Sequence, residues 1–219
     1  MRRLYIYCEG PTEESFINTT LYPYLQNAGV AAIPIVCETK RTAAKKYKGG
    51  VSDYNKIKKE LTAICKQHSN EIVTTMFDYY GLPENTPGYA TASGNIYAKA
   101  QHIEAAVEAD LGSMRNLFFN LTVHEFEGLL FTDTSAFSYI TDGTAVAKLQ
   151  EIKDSFDSPE HINNSSETAP SKRIEEIIPG YSKVLDGTKL AERIGIDNIS
   201  AQCQHFGKWI SRAIVQASP

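Results

Sequence analysis

The sequence has few cysteines, one tryptophan and no long apolar run. The four cysteines, Cys8, Cys37, Cys65 and Cys203, show no CxxC spacing, which argues against a zinc ribbon or a thioredoxin-type redox pair. Cys8 and Cys37 sit in apolar, strand-like stretches, where a reduced cysteine behaves as a small hydrophobe. A chain without disulfides fits the cytoplasm, and that is the expected location. No run of about 18 apolar residues occurs, so no membrane span is expected. The N-terminal MRRLYIYCEG is basic and then apolar, but Glu9 interrupts it too early for a signal peptide. An excess of positive charge is also missing. The formal net charge is −4, so any contact with a polyanion must come from local basic patches. There is no GxxxxGK[ST] phosphate loop, no repeat and no low-complexity segment.

The 219 residues, 42% of them hydrophobic, suffice for one large domain or a domain with an appendage. Strands are expected at 2–8, 31–37, 71–77 and 116–123. Pro34 puts the second at a sheet edge. Helical patterns separate them. One runs from Pro11 to about Gln26, with Phe16, Ile17, Leu21 and Leu25 on its apolar face. A second follows Ser52 as N-cap, with Tyr54, Ile57, Leu61 and Ile64 at helical spacing. A third covers 95–111. Parallel strands need such crossovers, so the fold class is α/β with a mainly parallel, four-stranded central sheet and helices on both faces. Residues 1–131 form the expected core. Residues 132–219 form a helical C-terminal region packed on it, with patterns at 145–156, 171–178, 188–194 and 202–215.

Each strand runs into an acid: Glu9 after LYIYC, Glu38 after IPIVC, Asp78 after VTTMF and Glu125 after LFFNLTVH. In an open α/β sheet the ligand site lies beyond the carboxyl ends of the strands. Carboxylates gathered there repel one another unless a cation sits among them, and Mg²⁺ favours oxygen ligands. Glu13 stands four residues after Glu9 across a strand-to-helix turn, which brings both to one side. Its competing role is to complement the dipole of the helix it begins. HEFEGLLF either extends the fourth strand, setting Glu125 and Glu127 on one face, or opens a helix. His124 is expected to orient a carboxylate rather than bind metal.

Lys40, Arg41, Lys45, Lys46 and Lys48 form a basic run with Tyr47 among them, a pattern suited to phosphate contacts or to a solvated loop. Lys172 and Arg173 stand in the first turn of a predicted helix, an unfavourable place for cations unless an anion is also bound there. Cys203 and His205 lack a second pair and are read as packing. The loop at 79–94 is long enough to suggest a functional role.

The stretches YCEGPTEE, FDYYGLP, VHEFEGLLF and TAPSKR, in this order, resemble the Toprim superfamily. They are most similar to an uncharacterised bacterial family with an EGxTEE…HEFExLLF pattern, related to the nuclease domains of OLD proteins. The resemblance covers most of the chain. It implies a Mg²⁺- or Mn²⁺-dependent nuclease cleaving phosphodiester bonds in DNA or RNA. It implies Glu9 as the first-strand glutamate, Glu13 as the second glutamate of the OLD-like pattern and Asp78 as the leading aspartate of a DxD element. The second aspartate of that element is Tyr80 here. Glu125 or Glu127 is the candidate replacement. The expected catalytic residues are thus Glu9, Asp78 and Glu127, and the expected metal-holding set is Glu9, Glu13, Asp78, Glu125 and Glu127. Lys40, Arg41, Lys45, Lys46, Lys172 and Arg173 are the expected phosphate or nucleic-acid contacts. The resemblance also suggests an ATPase partner and a setting in phage defence. The rival expectation is a catalytically degenerate module that docks on an ATPase or binds an anionic ligand. A hydrolase of small phosphorylated nucleotides is a third.

Overall fold

A computed structural model describes residues 1–37, 53–163 and 168–217. The sheet is parallel throughout the described residues. Strand β1 (Arg2–Cys8) lies between β2 (Val30–Val36) and β3 (Ile72–Asp78), and β3 pairs on its far side with β4 (Leu117–Phe118) and β5 (Leu121–Thr122). The spatial order is β2-β1-β3-β4, with β5 continuing beside β3. Pro34 therefore lies on an edge strand, where its missing N–H costs no ladder bond.

Alternation along β1 divides the core. Leu4, Ile6 and Cys8 face one layer, while Tyr5 and Tyr7 face the other. The first layer holds Phe16, Ile17, Leu21 and Leu25 from the helical segment after β1. That segment is α1 (Pro11–Phe16), a π-helical stretch (Ile17–Leu21) and α2 (Tyr22–Asn27). The second layer holds α3 (Tyr54–Gln67) through Tyr54, Ile57, Leu61 and Cys65, and α4 (Ile96–Asp110) through Ala100, Ile103 and Val107. Helices thus cover both faces, as the α/β pattern predicts. The N-cap of α3 is Asp53, whose side chain accepts from the Asn55 amide; Ser52 lies outside the described residues.

The C-terminal helices α5 (Gly143–Asp154), α6 (Pro170–Ile177), α7 (Thr188–Ile194), α8 (Ile196–Gln202) and α9 (Gln204–Ala217) share the first layer. Helix α9 is tied directly to the sheet, since Trp209 Nε1 donates to Thr74 Oγ1 at 3.0 Å. Its own start is held by the buried Glu160. That carboxylate accepts from the His205 and Phe206 amides at 2.9 Å each, and from the Tyr97 hydroxyl at 3.0 Å. His205 is part of this packing, and its ring meets Glu104 at 2.8 Å. Among the described residues no helix is long and apolar enough to cross a membrane.

The fourth strand, expected to run unbroken over 116–123, is instead two short bridges separated by Phe119 and Asn120. Side chains take the hydrogen bonds that a ladder would have made. Thr75 Oγ1 donates to the Asn120 carbonyl at 2.7 Å and accepts from its amide at 2.8 Å. On the other side, Glu108 accepts from the Phe119 amide and Glu104 from the Leu121 amide, both at 2.9 Å. Helix α4 thereby covers an edge that would otherwise present free amides.

Candidate functional site

Five acids converge at the carboxyl ends of β1 and β3 and just beyond β5. Glu9 directly follows β1. Gly10 then adopts an extended conformation as N-cap of α1, Pro11 takes the first helical position, and Glu13 falls at the third. Glu13 Oε2 accepts from the Gly10 amide at 2.9 Å. The capping role and the site role therefore coincide in one side chain, 8% exposed. Asp78 ends β3, and its Oδ1 accepts from the Phe126 amide at 3.2 Å.

The segment after β5 settles what HEFEGLLF becomes. His124 takes a left-handed conformation (φ 62°), Glu125 returns to extended backbone, and Phe126–Thr132 forms a 3-10 helix that is buried throughout. It is neither a strand extension nor an α-helix. A side chain other than glycine in the left-handed region is uncommon and points to a locally constrained turn. Here the turn sends Glu127 inward to 1% exposure and leaves Glu125 partly open.

Sequence reasoning missed the cation that these acids face. Lys183, on the π-helical turn Lys183–Gly187, places Nζ 3.3 Å from Glu127 Oε1 and 4.0 Å from Glu125 Oε2. No motif surrounds it, and only the fold brings it to the site. Tyr181 was missed as well; its buried hydroxyl has no hydrogen-bond partner and lies in the field of Glu127 and Glu125. The helix whose first turn carries Lys172 and Arg173 does hold an anion, from within the chain. Glu125 Oε2 accepts from the Ser171 amide at 3.2 Å, at the N-terminus of α6. The two basic side chains make other contacts. Lys172 pairs with Glu175 at 2.6 Å, and Arg173 Nε donates to the Thr168 carbonyl at 2.7 Å. Lys40, Arg41, Lys45 and Lys46, together with Glu38, lie outside the described residues.

The electrostatics express crowding. Burial, with the charges of Glu9 and Glu127 added, pushes the Glu13 carboxyl up to about 7 against the opposing pull of backbone amides. Burial and then the fields of Glu13, Glu9, Glu127 and Glu125 raise Asp78 well above the usual carboxylate range. Glu9 and Glu127 are raised by burial and by Glu125, and Lys183 opposes both shifts. Burial alone would depress the Lys183 ammonium, but Glu127 and Glu125 outweigh it and raise its pKa. Burial and mutual repulsion thus favour the protonated forms of Glu9, Glu13, Asp78 and Glu127.

Two oxygens in this cluster are buried without a hydrogen-bond partner, Glu9 Oε2 and Glu127 Oε1. Glu127 Oε1 is nonetheless met by the Lys183 ammonium at 3.3 Å, which pulls the acid's pKa down against burial. Glu9 lies against Gly81, where a Cβ would stand 2.6 Å from Oε2 and 3.0 Å from Oε1. Only glycine allows that approach. Among the described residues no three His, Cys, Asp or Glu side chains are arranged as ready ligands. The donor chemistry nevertheless suits a hard cation, being all carboxylate, mutually repelling, and with Glu9 Oε2 left unsatisfied.

A family model described as Domain of unknown function (DUF4276) matches residues 8–213. The chain belongs to this family. All five acids and Lys183 fall inside the DUF4276 match. No curated protein matches this DUF4276 chain. Among solved structures it is similar to the C-terminal region of the Burkholderia pseudomallei OLD protein, with 18% identity and a TM-score of 0.47, covering 98% of this chain and 99% of that one. It is also similar to the C-terminal region of the Xanthomonas campestris pv. campestris OLD protein, with 14% identity and a TM-score of 0.39, covering 96% and 97% respectively.

Proposed function

We propose that this DUF4276 chain is a Toprim-type, divalent-metal-dependent phosphodiesterase acting on nucleic acid. The observation that carries the reading is the convergence of Glu9, Glu13, Asp78, Glu125 and Glu127, with one buried oxygen of Glu9 left without a hydrogen-bond partner and Lys183 as the cation that meets Glu127. These five would hold Mg²⁺ or Mn²⁺, which when bound supplies Lewis-acid stabilisation of the phosphate and activation of the nucleophile. Glu9, held against Gly81, is the general base or a ligand. Asp78 and Glu127 complete the catalytic set. The Phe126 and Ser171 amides fix Asp78 and Glu125 in place. Lys183 keeps the acids from full mutual repulsion and offers its ammonium to the negative charge that develops on phosphate. A cytoplasmic setting is supported by four buried free thiols. An ATPase partner and a part in phage defence are supported by the motif resemblance.

The test is cleavage of plasmid, linear and single-stranded DNA, tRNA and long RNA in Mg²⁺ and in Mn²⁺, beside Glu9→Gln. Metal-dependent cleavage that disappears in the variant is expected. An equal rate in parent and variant would remove Glu9 from the chemistry.

A second reading, a non-catalytic binding module, is favoured by Tyr80 at the position of the second aspartate. It predicts no thermal stabilisation by Mn²⁺. The enzyme reading predicts a Mn²⁺ shift that Asp78→Asn abolishes.

A further inference from the structure

Tyr80 departs from the acidic pattern, and the structure gives it a different setting. Its ring stacks nearly parallel to that of His124 in an offset arrangement, with centroids 5.2 Å apart and planes inclined by 15°. Tyr79 meets it at right angles, 5.7 Å away. Tyr79 in turn stacks on Tyr89 at 6.1 Å. The loop bearing Tyr89 is pinned to α4 at Gly88, which has φ 81° and where a Cβ would press to 2.9 Å from Ala106. Despite these contacts Tyr80 keeps 46% of its surface exposed, while His124 beneath it is buried. The result is a supported aromatic plate open to solvent.

The plate adjoins the acids on both of its chain segments. Tyr80 stands two residues after Asp78, within about 7 Å along the backbone. Its ring partner His124 immediately precedes Glu125.

We propose that Tyr80, backed by His124, is a stacking platform for one base of a single-stranded nucleic acid whose backbone reaches the carboxylate cluster. Stacking on a tyrosine needs a free base face, which an intact duplex offers only at its ends. The side chain is held before the ligand arrives, so little conformational entropy is lost on contact. Because every base has a π face, the platform selects unpaired strands with little preference for sequence. Tyr80 thus replaces a metal-holding acid with a substrate-binding ring. This inference rests on the phosphodiesterase reading for its second half, the position of the backbone.

The test is fluorescence anisotropy with 5′-labelled single-stranded DNA and RNA of roughly 12 nucleotides. It is run in Mn²⁺ on the full chain carrying Glu9→Gln, with intact oligonucleotides and with versions bearing abasic sites. Adding Tyr80→Ala is expected to weaken binding of the intact strand roughly five- to hundredfold. Tyr80→Trp is expected to retain it. The abasic strand should bind weakly and lose little more in Tyr80→Ala. Equal affinity in parent and Tyr80→Ala, the same loss for intact and abasic strands, or no binding of either strand by the parent overturns the platform. Cleavage by the unaltered chain is followed separately. Tyr80-dependent binding without cleavage keeps the platform and removes the chemistry. Cleavage with a kcat/KM that ignores both Tyr80→Ala and the abasic sites removes the platform and keeps the chemistry.

Discussion

Replacing Glu13 with glutamine should stabilise the metal-free protein by an amount that grows as pH rises from about 4.5 to about 7. Glu13 has its carboxyl raised from the ordinary 4.5 to about 7, chiefly by burial and then by Glu9 and Glu127. A carboxyl with a folded-state pKa above its unfolded value binds more protons in the native state between those two values. Stability must then fall as pH rises from about 4.5 through about 7. The span from 4.5 to about 7, at about 1.36 kcal/mol per pH unit, corresponds to on the order of 3 kcal/mol. Glutamine removes the charge and keeps a carbonyl oxygen for the Gly10 amide, so the cap survives. Parent and Glu13→Gln should therefore unfold at similar temperatures at pH 5. By pH 8 the variant should lead by roughly 6–12 °C, using about 2–4 °C per kcal/mol for a chain of this size. Protons released elsewhere in the cluster share part of this, so the figure is an upper one. The assay is thermal unfolding in EDTA at constant ionic strength from pH 5 to 8. His205, whose carboxylate neighbours raise its pKa against burial, loses its contribution in the same direction, but it is common to both proteins and cancels in their difference. A variant no more stable than the parent at pH 8, or a gap that does not change with pH, refutes the electrostatic account. In Mn²⁺ the order should narrow or invert, since the parent has more charge to offer the ion.

Gly81→Ala should leave unfolding temperature within a few degrees of the parent, because the added methyl meets only the movable tip of Glu9. It should still lower cleavage about tenfold or more, by displacing that carboxylate; an unchanged rate would show that the position of Glu9 does not matter. Glu160→Gln should cost about 2–3 kcal/mol, because an amide NH₂ would oppose one of the amides at the start of α9. Urea titration should show this as a lower midpoint at constant slope, and an unmoved midpoint would mean that this cap is dispensable.

The elements that could be read from the sequence are those whose signal is local. Alternation in LYIYC and VTTMF, the Gly10-Pro11 break and the helical spacing of Tyr54, Ile57 and Leu61 each decide an element within a few residues. What escaped depends on distant partners. The break at Asn120 requires Thr75, 45 residues earlier, to take over its backbone bonds. The 3-10 segment Phe126–Thr132 is buried on all sides, which hides any period. The acids of the site were visible because an acid at a strand tip breaks an apolar run. Lys183 interrupts nothing, and no local pattern marks it.

The same contrast bears on the proposed cation site. Each acid whose folded-state pKa is raised has lost water that no equal partner replaces. The Gly10, Phe126 and Ser171 amides each satisfy one carboxylate oxygen. Lys183 meets two acids, but its side chain is 42% exposed, so its field is partly screened. A cluster optimised only for folding would replace such acids with apolar groups, which is often neutral or stabilising. Retaining them buried, with Gly81 making room for Glu9, fits the proposed site, since a divalent ion entering there would offset their repulsion. A stabilising Glu13→Gln that also abolishes the Mn²⁺ shift would show that the strain in folding and the affinity for metal arise from one set of charges.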